Sequence, residues 1–213
     1  HIHKYPETAF EEHKTSDFIA LRLHEFGIEV HRGLAGTGVV GTLRGKKGKG
    51  PAIGLRADMD ALDIQEANEV DYRSQNPGKM HACGHDVHMT VLIGVAEYLF
   101  ENKSEWQGNL ILVLEPAEEV SGGARNMIKD GLFTRFPRPD YNLAFHVNAG
   151  MPTGKVGFLP GWAMANVDSV DITVKGIGGH GAYPHTTKDP IVIAANIVCL
   201  LYTSPSPRDS RKS

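Results

Sequence analysis

The sequence predicts an α/β fold in which an open mixed sheet carries helices on both faces. The first observation is that segments with strand patterns alternate with helical segments through most of the chain. The second is the continuous apolar run of residues 110–114, which is typical of a strand buried on both faces. The third is that polar residues follow the ends of several predicted strands, where α/β sheets bind their ligands.

The first part of the chain contains one predicted helix and two predicted strands. Apolar residues recur with helical spacing over residues 7–26, and Gly27 ends this amphipathic helix. Residues 39–43 and 52–55 have strand patterns. They flank the basic, glycine-rich residues 44–50, which we interpret as the tip of a hairpin.

Helix and strand patterns continue to residue 147. Asp86 is a candidate N-cap for a helix that runs to about Phe100. The strand of residues 110–114 is followed by a short helix, residues 124–129, and then by a second buried strand, residues 141–147. The face of the helix after Asp86 that we expect to be buried consists of Val91, Leu92, Val95 and Leu99.

The pattern changes near Trp162, where a second domain is predicted to begin. Residues 167–175 alternate between polar and apolar side chains, as in a half-exposed strand. A glycine-rich loop follows, and then an apolar helix over residues 191–201. The predicted parts are a first domain, residues 1–162, the start of a second domain, residues 163–201, and a tail, residues 202–213.

The tail differs in composition from the rest of the chain. It is rich in proline and serine, is basic, and has no periodicity, so it cannot bury a core. We interpret it as a foreign or disordered segment, and a genuine flexible terminus is the alternative.

Composition excludes several classes of protein. The chain is 41% hydrophobic and 22% charged, which is typical of a globular protein. A net charge of −3 gives no electrostatic reason to expect nucleic acid as a partner. No apolar run is long enough to predict a membrane span. Two cysteines do not form a disulfide framework, so we expect a reducing, cytoplasmic location, although a leader before His1 remains an open alternative.

Residues 80–88 concentrate the side chains that bind metal ions. One cysteine, three histidines and one aspartate lie within this stretch, and their thiolate, imidazole and carboxylate groups are ligands for zinc and similar divalent ions. Gly84 allows a tight backbone through which Cys83 and His85 can face one ion. His81 and His88 are weaker candidates and are left out of the ligand set. The alternative is a polar helix start with a buried cysteine.

Glu118 and Glu119 form a second acidic feature, directly after the strand of residues 110–114 and Pro116. Neighbouring carboxylates repel each other unless a cation lies between them or one is protonated. In a metal hydrolase, one can bind the ion while the other activates water. A solvated loop is the alternative. Asp58 and His146 also lie at or near strand ends, which predicts one shared site.

These residues resemble the M20 metallopeptidase family, and in particular its amidohydrolase branch, which includes hippurate hydrolases and N-acyl amino acid deacylases. The resemblance covers about residues 1–200. Its motifs are His-Lys-Tyr-Pro-Glu at residues 3–7, Leu-Arg-Ala-Asp-Met-Asp-Ala-Leu at 55–62, His-Ala-Cys-Gly-His-Asp at 81–86, Pro-Ala-Glu-Glu at 116–119, and Gly-Gly-His-Gly-Ala-Tyr-Pro-His at 178–185.

The resemblance implies a hydrolase that cleaves the amide bond of N-acyl amino acids or related amides. It implies two divalent ions, manganese or zinc and alternatively cobalt or nickel, held by Cys83, His85, Glu119 and His146. Glu118 would be the general base: it would take a proton from a metal-bridging water and pass it to the leaving amine.

The resemblance also implies supporting roles for two residues. Asp58 would hold a metal-binding histidine in place, and a strand-end hydrogen bond is the alternative. His180 would reach from a ferredoxin-like α+β lid domain to bind substrate and stabilise the oxyanion, and a surface-loop histidine is the alternative. The parent protein is expected to be a homodimer through this lid.

Family members continue for roughly as long again, with one further histidine ligand after the position of Leu200. We therefore expect this chain to be an inactive truncated form of an active enzyme. A non-catalytic metal-binding or interaction module is the alternative. Glu118 argues against it, because a pure binding site has no use for a general base.

Overall fold

Five strands form the sheet around which the first part of the protein is built. The computed structural model describes residues 1–162, 164 and 170–203. The chain folds as two compact units, a first unit, His1–Thr153, and a second unit, Gly154–Ser213. We describe each unit by itself. The predicted domain boundaries at residues 162 and 201 stay predictions.

The sheet of the first unit is mixed. Its strand order is β1-β2-β4-β3-β5. Strands β1, β2 and β4 pair antiparallel, whereas β3 pairs in parallel with both β4 and β5. The strand bounds are Glu29–Leu34 for β1, Gly38–Arg44 for β2, Ala52–Asp58 for β3, Asn109–Glu115 for β4 and Tyr141–Ala144 for β5.

Helices cover both faces of this sheet, as the sequence predicts. Strand β4 sends Leu112 and Leu114 into the core formed with helices α1 and α2, and Ile111 and Val113 into the core of the opposite face. The continuous apolar run is therefore buried on both sides. The helix bounds are His13–Glu25 for α1, His85–Glu101 for α2, Gly123–Lys129 for α3 and Leu132–Arg135 for α4.

The predicted hairpin between β2 and β3 is wrong, because β4 lies between these two strands. The basic loop after β2 forms hydrogen bonds with the segment before β4 instead: the Lys46 N–H bonds to the Lys103 carbonyl and the Lys47 N–H to the Trp106 carbonyl. Helix α2 provides the crossover that a parallel β3–β4 pair requires.

Helix α2 differs from the prediction in its cap and in its burial. Its N-cap is Gly84, and Asp86 lies in the first turn, where its carboxylate accepts a hydrogen bond from His3. Leu92 is buried as predicted, but Val91 and Val95 are 47% and 37% exposed. These two valines face β5, and among the described residues no strand pairs with the outer edge of β5 to cover them.

Strand β5 is also shorter and more exposed than the predicted buried strand of residues 141–147. All four of its residues are exposed. It is an edge strand, so only β3 pairs with it within the described part of the chain. An apolar pattern alone does not distinguish a central strand from an edge strand.

The second unit contains a 3₁₀ turn, Pro184–Thr186, and helix α5, Pro190–Thr203. The predicted strand over residues 167–175 is wrong for residues 170–175, which form no strand, and residues 167–169 lie outside the described residues. A strand needs a neighbour for its backbone hydrogen bonds, and the described residues of this unit supply only an isolated bridge between Ile177 and Lys188. Of the helices in the described ranges, none is both long and apolar enough to cross a membrane.

His3 connects the N-terminal segment to two acidic residues. Its Nδ1 lies 2.8 Å from Asp86 Oδ2 and its Nε2 lies 3.2 Å from Glu66 Oε1. Burial alone would lower the pKa of His3, but the hydrogen bonds to Glu66 and Asp86 and the charges of both carboxylates outweigh it and raise this pKa.

We expect His3→Gln to destabilise the protein more at about pH 6 than at about pH 9. A raised folded-state pKa means that protonated His3 contributes its full stabilisation below the unfolded-state pKa. This contribution is lost as the pH rises through the folded-state pKa. Urea denaturation at the two pH values measures the difference in free energy of unfolding. His24→Gln, at an exposed position of α1, is the matched control. Equal losses at both pH values would contradict this role for His3.

Candidate functional site

The C-terminal ends of three parallel strands meet at one edge of the sheet. Asp58 is the last residue of β3, Glu118 and Glu119 follow the end of β4, and His146 follows the end of β5. Because β3, β4 and β5 run in the same direction, the polar residues after them gather at this edge. The structure therefore brings Asp58, Glu118, Glu119 and His146 to one edge of the sheet.

The turn before α2 brings Cys83 to the same place. Gly84 has a φ of 86°, in the left-handed region that favours glycine. A Cβ at this position would also collide with Cγ2 of Val147. Glycine therefore lets the turn approach the β5 end closely enough that Cys83 Sγ lies 3.4 Å from His146 Nε2.

His85 lies at the centre of the site and is completely buried. Its Nδ1 is 2.8 Å from the carbonyl oxygen of Asp60, so Nδ1 carries a proton, and in the neutral ring Nε2 keeps the lone pair that a metal ion would bind. Nε2 lies 3.8 Å from Glu119 Oε1 and 3.9 Å from Glu118 Oε2. A histidine that binds a metal through one ring nitrogen usually donates the N–H of its other ring nitrogen, and a backbone carbonyl is a common acceptor.

The donor atoms around His85 fit a divalent cation. His85 Nε2 and Glu119 Oε1 are buried, and neither has a hydrogen-bond partner among the described residues, which is costly unless a cation lies between them. In the part of the chain that the structure describes, three groups of possible ligands share His85, and the ligand atoms within each group lie within 4.8 Å of one another. The groups are Cys83 with His85 and His146, Asp58 with His85 and His88, and His85 with Glu118 and Glu119.

The charge of the site also favours a cation. Burial and the neighbouring Glu119 and Glu118 carboxylates raise the pKa of the Cys83 thiol to about 11. Burial and the charges of Asp58 and Glu119 raise the pKa of Glu118, although His85 and Arg56 oppose this shift. A bound cation would instead lower the pKa of the Cys83 thiol, because coordination favours the thiolate.

Asp58 holds His88. Asp58 Oδ1 accepts a hydrogen bond of 2.6 Å from His88 Nδ1, and Oδ2 accepts one of 2.7 Å from Arg56. Burial would raise the pKa of Asp58, but the His88 hydrogen bond and the Arg56 charge lower it to about 2. His88 Nε2 in turn accepts the N–H of Val147 at 3.0 Å. This chain of contacts fixes the backbone next to His146.

Two of the residues that organise the site are outside the predicted set. His88 is buried, and both of its ring nitrogens have hydrogen-bond partners. Asp60 receives the His85 N–H on its backbone carbonyl, and its Oδ2 accepts the Glu119 N–H at 2.9 Å. Asp60 belongs to the motif at residues 55–62 and His88 to the stretch of residues 80–88, but nothing in the sequence reveals their partners.

His180 is in the second unit, in the loop before the 3₁₀ turn. Its Nδ1 accepts the Ala182 N–H at 3.1 Å, and its ring centroid lies 5.4 Å from that of Tyr183. The side chain is exposed within its unit. The predicted role of His180 at the metal site stays a prediction.

Known proteins are similar to this chain in sequence and in fold. The model of peptidase family M20/M25/M40 matches residues 54–203. A hippurate hydrolase from Campylobacter jejuni is 45% identical over 94% of this chain and 51% of its own length. The chain therefore spans about half the length of the curated relatives that it matches.

Solved structures are also similar to this chain in fold and in sequence. A crystal structure from methicillin-resistant Staphylococcus aureus has a TM-score of 0.79 at 34% identity, covering 97% of this chain and 55% of its own. The Bacillus subtilis YXEP protein, described as a dinuclear metal-binding peptidase of the M20 family, has a TM-score of 0.59 at 39% identity, covering 62% of this chain and 37% of its own. The family model covers more than half of the chain, so the chain belongs to peptidase family M20/M25/M40, a family of hydrolases.

Proposed function

We propose that the protein carrying this chain hydrolyses the amide bond of N-acyl amino acids with the help of two divalent metal ions. The observation that carries the proposal is the buried His85 Nε2, which has no hydrogen-bond partner within the described ranges and faces the adjacent carboxylates of Glu118 and Glu119. Similarity to a hippurate hydrolase supports the substrate class, because hippurate is an N-acyl amino acid.

In this proposal Cys83, His85, Glu119 and His146 hold the ions. The mixture of thiolate, imidazole and carboxylate suits zinc or manganese, with cobalt or nickel as alternatives. When bound, the ions would polarise the amide carbonyl and make water more acidic. The similarity to a dinuclear metal-binding peptidase supports two ions.

Glu118 is the proposed general base. Its side chain is 40% exposed, so it can reach both solvent and a substrate. It takes a proton from the attacking water, holds it on the carboxylate, and delivers it to the nitrogen of the leaving amine. A raised pKa makes its carboxylate a stronger base than an ordinary glutamate.

The remaining residues orient these groups. Asp60 fixes the ring of His85 through its carbonyl, and Asp58 fixes His88, which holds the backbone beside His146. We further propose that His180 binds the substrate and stabilises the oxyanion, that the whole protein is a homodimer through its lid domain, and that it acts in the cytoplasm, where the Cys83 thiol stays reduced.

We expect the full-length protein to lose its hydrolase activity in a chelator and to regain it when manganese or zinc is added back. Metal content is measured by elemental analysis, and hydrolysis is measured on a panel of N-acyl amino acids that includes hippurate. About two ions per chain together with amide hydrolysis would support the proposal. Metal binding without hydrolysis of any panel member would point instead to a non-catalytic metal-binding module.

A further inference from the structure

Glu12 is a buried carboxylate outside the metal site. Its side chain is 0% exposed, although glutamate is almost never fully buried without partners. Its Oε1 accepts the N–H of Phe10 at 3.0 Å and the N–H of Ala117 at 2.8 Å. Its Oε2 accepts the hydroxyl of Thr37 at 2.7 Å. All three partners are donors, and they come from three separate segments of the chain.

Helix capping does not account for this side chain. Glu12 is the N-cap residue of α1, but its side chain makes no capping hydrogen bond. Glu7 instead bonds to the backbone N–H groups of Lys14 and Thr15 in the first turn of α1. The Glu12 carboxylate therefore points away from its own helix and toward Ala117.

Ala117 has a conformation that L-residues rarely adopt. Its φ is 51°, in the left-handed region, which is strained for an alanine. Its N–H is bound by Glu12, and its carbonyl accepts the N–H groups of Gly122 at 3.2 Å and Gly123 at 3.3 Å. A strained backbone of this kind persists only where the surroundings hold it.

The strained residue directly precedes Glu118 and Glu119. At the other end of this short segment, the Glu119 N–H is bound by Asp60 Oδ2 at 2.9 Å. Two buried carboxylates, those of Glu12 and Asp60, therefore hold the backbone on either side of Glu118. A change of φ at Ala117 would turn the following peptide and move both glutamate side chains relative to His85.

We propose that Glu12 is a positioning residue that locks Ala117 in the left-handed conformation and thereby aims Glu118 at the reacting atoms and Glu119 at the metal site. This inference rests on the proposed function. Glutamine at position 12 would have nearly the same shape. Its oxygen can still accept the N–H groups of Phe10 and Ala117, but it carries no negative charge, so both hydrogen bonds are weaker. Its amide nitrogen faces the Thr37 hydroxyl, which donates to the carboxylate in the wild-type protein.

The test compares Glu12→Gln with Glu11→Gln in the full-length protein. Glu11 is the exposed neighbour of Glu12 and pairs with Lys79. We expect Glu12→Gln to lower kcat by about 10- to 100-fold, with KM changed by less than about threefold, because a displaced catalytic group costs about this much. We expect Glu11→Gln to leave both constants unchanged.

A second measurement does not depend on activity. Hydrogen exchange of the peptide that contains residues 117–121 should become at least about tenfold faster in Glu12→Gln and stay unchanged in Glu11→Gln, because the Ala117 N–H bonds less strongly to a neutral amide oxygen than to a carboxylate. If Glu12→Gln does not fold, Thr37→Val replaces it. This variant removes only the partner of Oε2, and a smaller effect in the same direction is expected.

The decisive variant is Glu12→Gln combined with Ala117→Gly, with Ala117→Gly alone as the reference. Glycine adopts a φ of 51° without strain, so kcat of the double variant should be at least about fivefold higher than kcat of Glu12→Gln. If Glu12 only stabilised α1, a change at residue 117 would not restore the kcat that Glu12→Gln loses. Unchanged exchange and kcat in Glu12→Gln, or no rescue by glycine, would overturn the proposal. If Glu118→Gln keeps full activity, the proposed function fails instead, and the exchange result still stands by itself.

Discussion

Replacing Glu118 by glutamine is expected to lower kcat for N-acyl amino acid hydrolysis by about 10²–10⁴-fold, the usual contribution of a general base. Glutamine has nearly the same shape but cannot take a proton from water. Because the side chain is 40% exposed, the substitution should leave the fold and its stability nearly unchanged. The measurement is steady-state kinetics on the full-length protein, together with its metal content.

Glu119→Gln is the matched comparison, since the two residues are adjacent but have different proposed roles. The Glu119 Oε1 atom is buried and lacks a hydrogen-bond partner among the residues that the structure describes, whereas Glu118 extends further into solvent. We expect Glu119→Gln to reduce metal content and Glu118→Gln to leave it at the wild-type level. Unchanged hydrolysis in Glu118→Gln would contradict the mechanism, and equal metal loss in both variants would contradict the division of roles.

Asp58→Asn is expected to cost about 3 kcal/mol of unfolding free energy, because it breaks a buried charge pair. Asp58 is 1% exposed and accepts hydrogen bonds from both Arg56 and His88. The asparagine amide can accept only one of these bonds and turns a donor toward the other partner. Urea denaturation of the metal-free protein in chelator measures the loss without a contribution from bound ions.

The same interaction predicts a dependence on pH. The pKa of Asp58 is lowered from 3.8 to about 2, so ionised Asp58 stabilises the fold above about pH 4. This contribution, about 2 kcal/mol, is lost as the pH falls from about 4 to about 2. The difference between wild type and Asp58→Asn should therefore shrink over this range.

Asp17→Asn is the matched control for Asp58→Asn. Asp17 also pairs with an arginine, Arg32, but both side chains are at least half exposed. An exposed pair of this kind contributes about 0–1 kcal/mol. Equal losses in Asp17→Asn and Asp58→Asn would show that burial does not strengthen the Asp58 contacts.

Local patterns predicted the elements with the strongest signals. The apolar run before Pro116 is β4, and the helical spacing after Gly84 is α2, with bounds within about two residues of those predicted. Strand β1, Glu29–Leu34, is absent from the prediction because it is an edge strand with a mostly polar pattern. The strand order could not be predicted either, since pairing joins segments that are distant in the chain.

In the candidate site too, the sequence reveals the local motifs but not the contacts between distant residues. Cys83 and His85 are recognisable because they lie two residues apart in one motif. The contact between Glu12 and Ala117 joins residues 105 positions apart, and the contact between Asp58 and His88 joins residues 30 positions apart. A sequence pattern carries no signal for such pairs, because neither residue of a pair is distinctive by itself.

The sequence by itself determined the family, the α/β class and the chemical groups that gather at the strand ends, because these depend on residue identity and on local spacing. Only the tertiary structure decided which groups face each other. It placed β4 between β2 and β3, and it left β5 at an exposed edge of the sheet. It also brought Glu12 beneath the loop that carries Glu118. These features arise from hydrogen bonds and packing between distant segments, which exist only after the chain has folded.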